Sequence, residues 1–342
     1  MSKEKTLEVN NFPLISIVVP NLNGIHFLKK SIPSLMQTNY PNLEIIVIDN
    51  GSKDKSVSFL ENNYPSVILI KLNHNMGIAY AFNAGIKLSS GSYVSFVNND
   101  MEFDSNWLLP LFLTLVNNDK VAGCDSKYLN YYKRDFLDCA GRFMDKFGNS
   151  INIGSGEHDK GQYDKSQKIS HGLSLFKKDL LIKAGGFDEK FFAYKEETDL
   201  CWRLHRMGYD IQYVPESKIY HIGGGTTMSH KEGKKKLKVI FMFHYFKNKL
   251  RMLIKNNFGF TLLFSILIYF FDLSGMMIYW IFTKNPLYIL MALKAVFWNI
   301  KNINNTLYHR KQFSSMRSDL SNLFIPYHGI VHSLAMKLRN NI

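Results

Sequence analysis

Cysteine is scarce in this chain of 342 residues: Cys124, Cys139 and Cys201 stand far apart and form no CxxC pair. Neither a disulfide framework nor a cysteine-built zinc site is expected from them, and a reducing cytoplasm is the natural compartment. The opening stretch MSKEKTLEVNNFP contains no apolar run, so no secretory signal is expected there. No GxGxxG follows the first apolar run and no Walker-type glycine-lysine loop occurs anywhere, which disfavours the common dinucleotide and P-loop sites. Acidic residues are nearly missing from the last third. Residues 231–342 carry 17 Lys and Arg against Glu232, Asp272 and Asp319, whereas residues 1–230 carry 25 of each sign. The whole net charge of +14 therefore belongs to the tail, and the first two-thirds reads as a neutral globular domain.

What is present is an alternation. LISIVVP, LEIIVID, VILIKL and YVSFVNND are apolar runs of the kind buried on both faces of a sheet. Between them stand helical patterns: GIHFLKKSIPSLMQT with Pro33 inside, KSVSFLENNY and GIAYAFNAGIKLS. SNWLLPLFLTLVNN follows the fourth run, with Asp104 or Ser105 expected to cap it. Four βα units predict an α/β fold with a mainly parallel, doubly wound sheet whose strand ends form one rim, where ligands of such sheets bind. Asn21, Asn23, Asp49–Asp54, Asn73–Gly77 and Asn98–Asp100 all fall on that rim. Residues 125–170 are polar and Gly-rich, read as hairpins or a flap with no assignable chemistry. Further on, YKEETDLCWRLHRMG predicts a helix with Leu200, Leu204 and Met207 inward and Gly208 as its C′ residue, before a strand running through Pro215 to His221.

The rim residues are suited to a nucleotide and a hard cation. Asp49 can accept a hydrogen bond from a base, and Asn98 and Asn99 can meet ribose or phosphate oxygens. Asp100 suits Mg²⁺ or Mn²⁺, which take one or two carboxylates and complete their shell from phosphate and water, with His221 placed to add an imidazole. Glu196, Glu197 and Asp199 open a helix. The ordinary explanation is the macrodipole, and the same dipole keeps a carboxylate ionised for use as a general base.

The blocks ISIVVPNLNG, EIIVIDNGSKD, NMGIAYAFNAGI, YVSFVNND, GGFDEKFFAYKEETDLCWRL and IYHIGGG stand in the order found in family 2 glycosyltransferases. Over residues 13–230 the chain resembles these GT-A-fold enzymes, with a likeness to the bacterial rhamnosyltransferase-like branch. The resemblance implies nucleotide-sugar contacts from Pro20, Asn21, Asn23, Asp49 and Asn50, and further contacts from Asn75, Gly77, Asn83, Asn98 and Asn99. It implies a DxD-like metal motif ending at Asp100, with Asn98 in place of the first acid, and His221 as a second ligand for Mg²⁺ or Mn²⁺. It maps the family's Glu-Asp pair onto Glu196 and Glu197, the latter being the base and longer by one methylene. The implied reaction is an inverting transfer from a UDP- or dTDP-sugar to a lipid-linked or glycan acceptor. The alternative is a non-catalytic sugar-nucleotide-binding or scaffold protein on the same fold, for which Asn98 speaks.

Three segments are expected: a polar tail at 1–12, the GT-A domain at 13–230 and a basic, apolar helical region at 231–342. Within the last, HKEGKKKLKVIFMFHYFKNKLRMLIKN mixes nine cations with aromatics, a pattern suited to an anionic membrane surface. FGFTLLFSILIYFFDLSGMMIYWIF is long enough to span a bilayer but carries Asp272 at its centre, so in-plane association is favoured over a span. A nucleic-acid role is the rival, disfavoured by the apolar runs. The expected location is the cytoplasmic face of the cell membrane, peripheral or monotopic.

Overall fold

A computed structural model of the chain describes residues 12–223, 231–313 and 324–326, with side chains from 239 onward in the helix that starts at 231. The polar tail up to residue 11, the glycine-rich stretch 224–230 and the cations at 231–238 lie outside the described residues or side chains.

The alternation of apolar runs becomes a ten-stranded sheet. Its first half is β1 (Ile15–Asn21), β2 (Leu43–Asp49), β3 (Ile68–Lys71) and β4 (Tyr93–Phe96), paired in parallel with β1 between β4 and β2. Side chains alternate across it. Ile15, Ile17 and Val19 of β1 pack against Leu28, Ile32 and Leu35 of α1 (Ile25–Met36), while Val18 faces Ala79, Phe82 and Ile86 of α3 (Ile78–Leu88). Helices α2 (Ser56–Asn63) and α3 thus lie on opposite faces, as double winding requires.

The strand YVSFVNND is shorter than its apolar pattern: β4 stops at Phe96. Asn98, Asn99 and Asp100 turn the chain into β5 (Met101–Phe103), an element the pattern did not announce. The next helix, α4 (Leu108–Val116), has no side-chain cap. Asp104 accepts instead from the Asn106 amide at 2.9 Å, closing the turn before the helix.

The sheet continues through β6 (Val121–Asn130), β7 (Leu137–Cys139), β10 (Gln167–Ile169), β11 (Leu175–Lys177) and β12 (Asp210–His221). β11 runs antiparallel between β4 and β6, and β12 runs parallel to β6. The Gly-rich region also supplies the hairpin β8 (Arg142–Asp145) and β9 (Ser150–Asn152), joined by β13 (Phe324–Ile325). α5 (Lys178–Lys183) and α6 (Glu196–Arg206) complete this part. Leu200 and Leu204 are buried, Met207 packs against the same cluster and Gly208 follows at φ +89°, as its sequence position predicts.

Among the described residues four further helices follow: α7 (Lys231–Asn256), α8 (Gly259–Phe282), α9 (Pro286–Lys301) and α10 (Ile303–Gln312). The later cations of α7 do not form a solvated face. Lys247, Lys249, Arg251 and Lys255 are buried. Arg251 and Lys255 pair with Asp188 at 2.9 and 2.7 Å, Lys255 reaches Asp199 at 2.8 Å, and Lys249 reaches Asp272 of α8 at 3.3 Å. The reading of these four as membrane-surface cations is thereby corrected: Lys249, Arg251 and Lys255 neutralise buried aspartates, and Lys247 donates to the Lys190 carbonyl.

Candidate active site

The ends of β1 and β2 are tied together by short polar side chains. Asn21 donates to Asp49 at 3.0 Å and to Ser52 at 3.2 Å, and accepts from Asn99 at 2.7 Å. Asp49 also accepts from the Ser52 amide, and Asn23, at φ +50°, accepts from the Lys53 amide. Asn50 donates to the Gly77 carbonyl and accepts from the Met76 amide, while Asn75 accepts from the Gly77 amide. Asn21, Asn23, Asp49, Asn50, Asn75, Gly77 and Asn99 are therefore one connected cradle, with Pro20 preceding Asn21 at the end of β1. Its amides and carboxylate are largely committed to holding loops in place. Gly77 is required there: at φ +89°, a Cβ would lie 2.5 Å from the Phe192 carbonyl oxygen. Asn83 is engaged elsewhere. It holds the backbone of Phe187 and the Glu189 carboxylate from α3, and it lines a separate cavity with Arg203 and Lys255, which makes it a tie between elements rather than part of the cradle.

Register explains how Asp100 meets His221. β5 pairs antiparallel with the end of β12, setting His221 opposite Met101, and His221 Nε2 stands 3.4 Å from Asp100 Oδ2. The other ring nitrogen is 3.0 Å from Asp138 of β7, a residue the sequence pattern did not single out. Burial alone would lower the His221 pKa, but Asp100 and Asp138 outweigh it and raise it to about 9. Asp100 Oδ1 is buried without a partner. A buried orphan carboxylate oxygen fits a hard divalent cation, which would displace the proton that the two aspartates hold on His221. Among the described residues no cluster of three or more His, Cys, Asp or Glu forms a complete cage, so such an ion would draw its remaining ligands from phosphate and water.

The helix carrying Glu196 and Glu197 begins from an unusual backbone. Phe192, Tyr194 and Lys195 have φ of +64°, +71° and +66°, a conformation that costs of order 1–3 kcal/mol per residue and persists only where neighbours enforce it. α7 enforces it. Asn248 Nδ2 lies 3.0, 2.7 and 2.7 Å from the carbonyls of Phe191, Ala193 and Tyr194, and Lys247 donates to that of Lys190. Lys195 Nζ is buried and donates to the Gly148 carbonyl at 2.9 Å, and burial, with Lys249 nearby, lowers its pKa to about 8. Burial and the neighbouring Glu197 push the Glu196 carboxyl well above its usual range, and its Oε2 has no partner. Asp199 is fully buried against Arg203, Lys255 and Asn256, so it is structural.

A cavity of about 540 Å³ lies between the β4–β5 turn and the start of α6. Asn98, Phe96 and Met101 line it from the β4–β5 turn, and Glu196, Glu197, Tyr194 and Lys195 from the start of α6. Arg142 and His171 line it from the hairpin region, and Phe241 and Tyr245 from α7. Sequence reasoning missed Asp138, Lys195, Asn248, Phe241 and Tyr245. Only the lysine beside the paired glutamates carried a local signal, since the others act across long sequence separations.

The profile of the family described as Glycosyl transferase family 2 matches residues 16–185. An uncharacterized glycosyltransferase of Rickettsia prowazekii is 25% identical over 214 residues, covering 61% of this chain and 64% of its own length. The poly-beta-1,6-N-acetyl-D-glucosamine synthase of Staphylococcus aureus is 25% identical over 219 residues, 63% of this chain and 51% of its own. The chain thus spans between half and just under two-thirds of these relatives. The mannosyltransferase PcManGT from Pyrobaculum calidifontis, solved with GDP-Man and Mn²⁺, superposes with a TM-score of 0.52 at 15% identity, covering 90% of this chain and 87% of that one. Its likeness, like that of GalNAc-T7 at a TM-score of 0.52 and 15% identity over 70% of this chain and 51% of that one, is one of fold. With the parallel sheet and the strand-end cradle, these matches show a GT-A-like fold whose residues 16–185 are similar to glycosyl transferase family 2.

Proposed function

We propose that the protein is an inverting, metal-dependent glycosyltransferase that moves a sugar from a nucleoside-diphosphate donor, UDP- or dTDP-linked, to a lipid-linked or cell-surface glycan. The observation that carries this reading is the pairing of Asp100 with His221, with one carboxylate oxygen left open, on the same rim as a cavity bordered by Glu196 and Glu197. Asp100 and His221 would hold Mg²⁺ or Mn²⁺, which when bound supplies positive charge for the departing diphosphate. The chain's own residues do the rest. The cradle from Pro20 to Gly77 with Asn98 and Asn99 positions the nucleotide. Burial and Glu197 disfavour the charged form of Glu196, which makes it the supporting residue, and Glu197 takes the acceptor proton. The acceptor oxygen then bonds to the anomeric carbon as the bond to the diphosphate breaks, with inversion.

The cytoplasmic face of a membrane is the proposed place of action, and α8 supports the membrane surface in it. Among the described residues it is the one helix long and apolar enough to cross a membrane. Its Ser265, Tyr269, Asp272, Leu273, Met276 and Trp280 are buried against the protein, while Phe260, Phe264, Leu267, Phe271 and Ile278 are exposed. A helix docked along one side, with Asp272 paired to Lys249, suits lying in the interface plane better than crossing it. The rhamnosyltransferase-like assignment of donor sugar stays part of this proposal.

Hydrolysis of a panel of sugar nucleotides with Mn²⁺ tests the reading. Wild type should turn over at least one UDP- or dTDP-sugar, and Asp100→Ala should abolish turnover together with the Mn²⁺ dependence of nucleotide binding. A wild type that binds donors without any turnover, alone or with membrane extracts as acceptor, would favour the non-catalytic alternative that Asn98 suggests.

A further inference from the structure

The cavity beside Glu197 has a wall that the catalytic domain does not make. Phe241 and Tyr245 stand one turn apart on α7, with ring centroids 5.6 Å apart, and Phe241 packs edge-on against Tyr194 at 4.8 Å. Lys195 Nζ sits 5.3 Å from the centre of the Tyr245 ring. None of the three aromatic residues is fully buried, and all three line the cavity. This face adjoins the residues immediately before Glu196 and Glu197, whereas Asn98 lines the cavity from the turn that carries Asp100. Two polar atoms on the lining are buried without partners, Glu196 Oε2 and His171 Nδ1. Unpaired buried polar atoms beside an aromatic wall describe a site for a ligand with an apolar face and hydroxyl edges.

An inverting transfer needs its nucleophile on the side of the base, away from the leaving group. The donor therefore belongs to the Asp100 side and the acceptor to the Glu197 side. We infer that Tyr194, Phe241 and Tyr245 form the acceptor subsite, stacking on the carbon face of a pyranose ring so that a ring hydroxyl meets Glu197 and its neighbours meet Glu196 and His171. The inference rests on the reading of Glu197 as the base-side residue. It gives α7 a role in choosing the acceptor, beyond that of linking the apolar helices to the domain.

Saturation-transfer NMR on the full chain, in a detergent without a sugar headgroup, tests this with methyl glycosides of glucose, galactose, mannose, rhamnose and N-acetylglucosamine. Each is measured with and without UDP and Mn²⁺. At least one glycoside should receive saturation in wild type. Its affinity should fall roughly 3- to 10-fold in Phe241→Leu and in Tyr245→Leu, the scale of one aromatic contact. Phe241→Tyr, which keeps a ring, should retain it, and UDP affinity should be unchanged in all three. The inference is overturned if no glycoside is saturated by wild type, or if the leucine variants bind glycosides as wild type does. Loss of UDP affinity with the glycoside signal would also overturn it, because the wall would then belong to the donor. A wild type that binds glycosides but no UDP would instead count against the proposed function and leave the subsite standing.

Discussion

Replacing Asp188 by alanine should be among the most destabilising single changes in this protein, although the residue lies outside the proposed chemistry. Asp188 accepts from Arg251 Nε at 2.9 Å, Arg251 Nη2 at 3.2 Å and Lys255 Nζ at 2.7 Å. Arg251 is fully buried, so in Asp188→Ala its charge keeps only the neutral oxygens of Thr306 and Asn305. Removing one partner of a buried ion pair costs about 3–5 kcal/mol, chiefly through the charge left behind. With an unfolding entropy of about 2 cal/mol/K per residue over the whole chain, that corresponds to a fall in Tm of about 4–7 °C. The pH dependence has a definite sign. Burial raises the Asp188 pKa, but Lys255 and Arg251 outweigh it and hold it well below the usual range, and Asp199 is likewise depressed despite burial, by Lys255 and Arg203. A depressed carboxylate stabilises the fold fully above its unfolded pKa, about 3.9, and the contribution is lost as pH falls through the folded value. The gap between wild type and Asp188→Ala in urea unfolding should therefore be full at pH 7 and shrink below about pH 4. Asp188→Ala with Arg251→Met should cost less than the two single changes summed. A gap under about 1 kcal/mol at pH 7, or strict additivity, would refute the claim that this network fastens α7 to the domain.

Glu197→Gln should lower turnover by a factor of ~10² to 10⁴ with donor affinity nearly unchanged, and Glu196→Gln should do less; the reverse order in steady-state kinetics would move the base to Glu196. Asn248→Ala should free the backbone before Glu196 and reduce kcat more than it changes nucleotide affinity. An unaltered kcat would mean that the positive-φ segment holds its shape without α7. Wild type should sediment with vesicles of phosphatidylglycerol and phosphatidylcholine. Phe264→Ser with Phe271→Ser should reduce that partitioning by a factor of ~10² or more, since burying each phenylalanine is worth about 1.5–3 kcal/mol. Equal partitioning of the double variant would assign the α8 face to something other than lipid.

Local pattern was enough for the βα alternation and for the rim. Runs such as ISIVVP and EIIVID bury both faces, and parallel pairing then brings every strand end to one side, so Asn21, Asp49 and Asn99 meet without further information. The paired glutamates were legible because a helix start is itself a local event. Other features depended on pairing between distant segments. β5 is only three residues long, and its partner lies more than a hundred residues away. Yet that pairing is what brings His221 to Asp100 and, through β7, Asp138 to His221. The basic helix misled for the same reason. Its sequence shows charge beside aromatics, but whether a lysine meets lipid or a buried aspartate depends on what packs against it, and Asp188, Asp199 and Asp272 are contributed from elsewhere in the chain. Composition placed the positive charge in the last third of the protein. Tertiary packing turned part of that charge inward and brought Phe241 and Tyr245 of the same helix to the cavity beside Glu197.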